Sequence, residues 1–145
     1  MKNDCPLRVL VVDDTVVYRK IVSDVVAELP NAVIVGTAHN GKAAILKVDS
    51  LKPDLLTLDI EMPEMNGLEA LGHIKKEAPE VDAIMLSSLT QRGGELTMRA
   101  LELGAFDFIS KPEKGTMVEN FKAIKNALVP MLSAFARHRE IKRIL

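Results

Sequence analysis

Apolar residues along this chain come in short runs, each ended by polar or turn-forming residues, with helically spaced apolar positions between them. Residues 8–12, 33–38, 55–58, 83–86 and 106–110 read as strands. Residues 15–29 read as a first helix, with Asp14 or Thr15 as its N-cap, an apolar stripe of Val17, Ile21, Val25 and Leu29, and Pro30-Asn31 as its stop. Residues 42–51, 67–78 and 94–103 predict three more helices, the third capped by Asn66 and the fourth closed by Gly104. A last helix starts near Thr116. Strict alternation of strand and helix predicts an α/β domain, a parallel sheet with helices on both faces. Runs one and three are almost wholly apolar, as central strands buried on both sides require.

Polar residues then stand where such strands end. Asp13-Asp14 follows the first run, Asp59 the third, Ser87-Ser88 the fourth and Lys111-Pro112 the fifth. Strand C-termini line one edge of a parallel sheet, and ligands bind along that edge. Asp13, Asp14 and Asp59 together suit Mg²⁺, a hard cation that takes carboxylates, waters and phosphate oxygens. Asp14 would ligate directly, Asp13 directly or through a water, and the Glu61 carbonyl would complete the protein ligands. The competing role for the Asp pair is to cap the first helix. Asp59 is a candidate nucleophile for an aspartyl-phosphate, with Lys111 neutralising the phosphoryl charge and Ser87 donating to it. Helix or loop capping is the plain alternative for Ser87, and a solvated surface role for Lys111.

Bulk properties narrow the partners. The 145 residues fit one domain with or without a tail, and a net charge of −1 argues against a general nucleic-acid or membrane role. One cysteine, Cys5, permits no internal disulfide, and the N-terminus lacks a signal-peptide segment, so the cytoplasm is the expected location. Residues 1–129 read as the domain. Residues 130–145 read as a helical extension or the start of an interdomain linker; after Pro130 the tail holds Arg137, Arg139, Lys142 and Arg143 against Glu140 alone. The linker reading is preferred over an extended helix with a solvated basic face. The three histidines lack metal-ligand spacing and read as structural or solvated.

The set Asp13-Asp14, Asp59, Ser87 and Lys111-Pro112 resembles the receiver domain of two-component response regulators, over residues 7 to about 128. The resemblance implies a flavodoxin-like (βα)5 doubly wound sheet with strand order 2-1-3-4-5. It implies phosphorylation of Asp59 by a histidine kinase, with Mg²⁺ at Asp14, Asp59 and the Glu61 carbonyl. It also implies a switch in which Ser87 moves toward the phosphoryl group and Phe108 turns inward, and a cis peptide at Lys111-Pro112. Residues 35–41, 59–68, 87–90 and 100–108 are similar to the N-terminal receiver of the chemotaxis protein-glutamate methylesterase family. Those proteins act on chemoreceptors through a C-terminal esterase domain. No Gly-x-Ser-x-Gly-like motif is present here, so esterase chemistry is not expected of this chain. Two other classes compete. An aspartyl-phosphate phosphatase would carry its nucleophile in an Asp-x-Asp pair at strand one. A phosphorylation-independent interaction module would typically have lost part of the acidic and lysine set.

Overall fold

A computed structural model describes residues 5–88 and 93–145. The elements run β1 (Leu7–Val12), α1 (Val16–Ala27), β2 (Ala32–Ala38), α2 (Gly41–Leu51), β3 (Leu55–Asp59), α3 (Gly67–Glu77), β4 (Asp82–Ser87), α4 (Gly93–Glu102), β5 (Asp107–Ser110) and α5 (Met117–Ile144). All strand pairs are parallel, in the order β2-β1-β3-β4-β5. Two sequence motifs, the N-terminal residues 1–4 and Leu89-Thr90, lie outside the described residues.

Alternation along the central strands divides the core in two. Leu10, Val12, Leu56, Leu58 and Met85 pack with residues of α2, α3 and α4. Val9, Val11, Leu55, Ile84 and Leu86 pack with residues of α1 and α5. Burial on both faces is why β1 and β3 carry so little polar sequence before their ends. Thr57 is the exception, with a buried hydroxyl that finds no hydrogen-bond partner among the described residues.

Local chemistry sets the helix starts. Thr15 caps α1 by accepting from the Tyr18 amide, and Asn40 caps α2. Asn66 with Glu69, and Thr116 with Glu119, form reciprocal capping boxes on α3 and α5. Helix α4 begins at Gly93, one residue before the predicted start at 94. Gly104, at φ +103°, closes α4: its amide reaches the Leu101 carbonyl while that of Ala105 reaches Ala100.

Helix α5 continues through Pro130. Proline cannot donate to the Asn126 carbonyl one turn earlier. Packing on either side of it outweighs that loss. Leu128, Leu132 and Phe135 are buried, and the Phe135 ring meets Phe106 edge-on at 5.2 Å. Further along, Arg139 pairs with Asp54 at 2.9 Å, at the edge of the sheet where β3 begins. Among the described residues, no helix is long and apolar enough to cross a membrane.

Candidate functional site

The strand tips bring together most of the residues singled out from the sequence. Asp13 leaves β1 buried, its amide held by the Ala38 carbonyl of β2 at 3.1 Å. One of its carboxylate oxygens accepts from both the amide and the hydroxyl of Thr15, at 2.9 and 2.8 Å. That leaves the other oxygen for the Lys111 ammonium at 2.7 Å. Asp14, the next residue, is exposed. Asp59 ends β3 with 1% of its surface accessible, and its Oδ1 lies 3.1 Å from Lys111 Nζ.

Carboxylate oxygens of Asp13, Asp14 and Asp59 all lie within 4.8 Å of one another. Lys111 is out of line for a hydrogen bond to Asp59 Oδ1, which is buried and has no other donor among the described residues. A hard divalent cation fits this donor set: several carboxylate oxygens converge, and one buried acceptor is left without an aligned proton.

Burial dominates the protonation of Asp59. It pushes the carboxyl up from 3.8 to about 7, with Lys111 pulling it back and Asp13 adding to the rise. For Lys111, burial alone would lower the ammonium. Asp59 and Asp13 outweigh it and hold the group above its ordinary value. Lysine and carboxylates are thus coupled, and a change at one alters the protons carried by the others.

The backbone behind Asp59 leaves no room for a side chain. Gly67, the first residue of α3, donates its amide to the Ile60 carbonyl at 2.9 Å. A Cβ at Gly67 would sit 2.2 Å from the Asp59 carbonyl oxygen and 2.9 Å from Ile60 Cα. Neither is the movable end of a side chain. We expect Gly67→Ala to cost about 1–3 kcal/mol or more in urea unfolding, and to displace Asp59. Unchanged stability would show that the β3–α3 turn yields more easily than this contact implies.

Glu61 brings a feature the sequence reading missed. Its carbonyl was singled out, but its side chain spans to β4. One carboxylate oxygen accepts from the Ser87 hydroxyl at 2.5 Å. The other accepts from the Ser88 amide at 2.8 Å and the Ser88 hydroxyl at 3.2 Å. Phe108, on β5, is half-buried and packs against the α2–α4 side of the core. The expected cis peptide is absent: Lys111–Pro112 is trans, and the described residues contain no cis bond. Proline narrows the preference for trans without reversing it.

Tyr18 was also missed. It is a lone aromatic in the first turn of α1, and no motif marks it. Its ring lies under the Lys111 ammonium, 4.6 Å from centroid to Nζ, and its hydroxyl donates to the Pro112 carbonyl at 2.9 Å.

Comparison with known proteins places this geometry. Residues 9–122 match the response regulator receiver domain family. A protein-glutamate methylesterase/protein-glutamine glutaminase of Desulfotalea psychrophila is 54% identical over 135 residues, covering 93% of this chain and 36% of that protein. Its Bacillus subtilis counterpart is 44% identical over 137 residues, covering 94% and 38%. The chain therefore spans little more than a third of the length of these relatives. Among solved structures, the response regulator domain of Thermotoga maritima CheB superposes with a TM-score of 0.80 at 42% identity, over 89% of this chain and 95% of that one. A CheX-CheY-BeF3-Mg complex from Borrelia burgdorferi gives 0.70 at 30%, over 86% and 91%. With its five-stranded parallel sheet and acidic strand edge, the chain belongs to the response regulator receiver domain family, as a receiver of the kind that chemotaxis methylesterases carry.

Proposed function

We propose that this chain is a phosphorylation switch whose acceptor is Asp59 and whose phosphodonor is a histidine kinase. The observation that carries this reading is the buried Asp59 carboxylate, with Lys111 at 3.1 Å and the oxygens of Asp13 and Asp14 clustered beside it. In the transfer, an Asp59 oxygen bonds to phosphorus as the bond from phosphorus to the donor's leaving group breaks. Lys111 supplies a fixed positive charge beside the incoming oxygens without having to move to them. When bound, Mg²⁺ would be held by Asp13, Asp14, Asp59 and the Glu61 carbonyl, and would neutralise phosphoryl charge.

Ser87 starts this switch already engaged. To donate to a phosphoryl oxygen, its hydroxyl must give up the 2.5 Å bond to Glu61. A phosphoryl group carrying close to two negative charges also repels the Glu61 carboxylate, which favours that release. Movement of Ser87 would vacate space into which the half-buried Phe108 turns, altering the surface around α4, β5 and α5. In a longer protein like its relatives, that surface would regulate a methylesterase domain acting on chemoreceptors. Residues 130–145 would then lead toward the linker.

Intact mass after incubation with acetyl phosphate and Mg²⁺ tests the proposal. One added phosphoryl group is expected in the parent and none in Asp59→Asn. Uptake that survives the substitution would place the acceptor elsewhere. No uptake by the parent under trapping conditions would leave a receiver fold that works without phosphorylation.

A further inference from the structure

We propose that Tyr18 is a positioning residue for Lys111, fixing both the ammonium and the backbone that carries it. This rests on the phosphorylation reading above. A lysine ammonium has three donor directions on a flexible four-carbon stem. Asp13 and Asp59 take up two sides of Lys111, at 2.7 and 3.1 Å. The Tyr18 ring covers another at 4.6 Å, presenting the negative face of its π system to the charge. On the same residue, the hydroxyl bonds to the carbonyl of Pro112, one position past the lysine. Burial raises the Tyr18 hydroxyl above its ordinary value, with Lys111 opposing and Asp13 adding to the rise, so it remains a donor.

Tyr18 is itself held in place. Its amide donates to the Thr15 hydroxyl oxygen at 3.3 Å, and Thr15 in turn donates to Asp13 from its amide and hydroxyl. Asp13 then pairs with Lys111. Asp13, Thr15, Tyr18 and Lys111 thus close a ring of contacts. The cap of α1 sets where the aromatic wall stands, and the wall sets where the ammonium points. Remove the ring and the ammonium gains room to swing away from Asp59, while Asp13 keeps its bonds from Thr15.

Tyr18→Leu removes the ring and the hydroxyl; Tyr18→Phe keeps the ring. Two readouts are taken for each variant after circular dichroism has established folding. One is the rate of phosphoryl uptake from acetyl phosphate at saturating Mg²⁺. The other is the side-chain proton shifts of Lys111 by NMR, which feel the ring current and need no phosphorylation. We expect Tyr18→Leu to slow uptake about tenfold and to abolish the ring-current shift. Tyr18→Phe is expected to stay within about threefold of the parent and to retain the shift. Tyr18→Leu that matches the parent in rate, or in Lys111 shifts, overturns the proposal. So does Tyr18→Phe slowed as much as Tyr18→Leu. If the parent itself takes up no phosphoryl group, the phosphorylation reading fails, and the Lys111 shifts then decide only whether the Tyr18 ring covers the lysine.

Discussion

Asp59→Asn is expected to make the metal-free chain more stable at pH 8, by an amount on the order of a few kcal/mol, through the same atom whose loss ends phosphoryl uptake. The sign follows from the proton. In the folded chain the Asp59 carboxyl titrates at about 7 instead of 3.8, chiefly because it is buried. Between those values the folded chain binds more protons than the unfolded one. The resulting stability is fully present below about pH 4 and is lost as pH rises through about 7. Asparagine is neutral throughout and carries no such loss. Urea unfolding at pH 5 and pH 8 without divalent cations checks this. The parent should lose stability between the two, and the variant should lose less. Equal pH slopes would mean that Asp59 is ionised across the whole range. Adding Mg²⁺ at pH 8 should restore the parent more than the variant, because a cation that binds only the folded chain stabilises it by mass action.

Lys111→Met should act in the opposite direction. It removes the counter-ion of two buried carboxylates and leaves Asp13 and Asp59 facing each other. Removing one partner of a buried pair costs about 3–5 kcal/mol when the remaining charge cannot be neutralised. At pH 8, Lys111→Met should therefore unfold at markedly lower urea than the parent. At pH 5 the loss should shrink, because Asp59 can take up a proton. Combining Lys111→Met with Asp59→Asn should recover much of the deficit, a coupling that a double-mutant cycle measures directly. A loss of equal size at both pH values would assign the cost to packing instead of charge.

Period and punctuation made the fold legible. Every strand and helix predicted from the apolar runs is present, with ends shifted by a residue or two where a cap decides them. Thr15, Asn40 and Asn66 start helices because short polar side chains reach the free amides of the first turn. The convergence of Asp13, Asp14, Asp59 and Lys111 was legible because each follows a strand, and parallel strands end on one edge. Contacts that depend on side-chain reach were not. Nothing in the order of residues says that the Glu61 carboxylate spans to Ser87 and Ser88, 26 and 27 positions later. Tyr18 and Pro112 are 94 positions apart, and only the folded sheet makes them neighbours. For the tail, Leu132 and Phe135 continue the helical stripe beyond Pro130 and are buried, while Arg137, Lys142 and Arg143 are exposed.

Helix α5, at 28 residues, is a strut of about 40 Å. It starts near the loop that carries Lys111 and reaches the opposite edge of the sheet, where Arg139 grips Asp54. If tilting this strut changes the work of placing charge at Asp59, then charge placed at Asp59 changes the load the tail will bear. Thermodynamic reciprocity makes the two effects equal in binding free energy. Whatever binds residues 130–145 and favours the phosphorylated form is itself bound more tightly by that form, by the same factor.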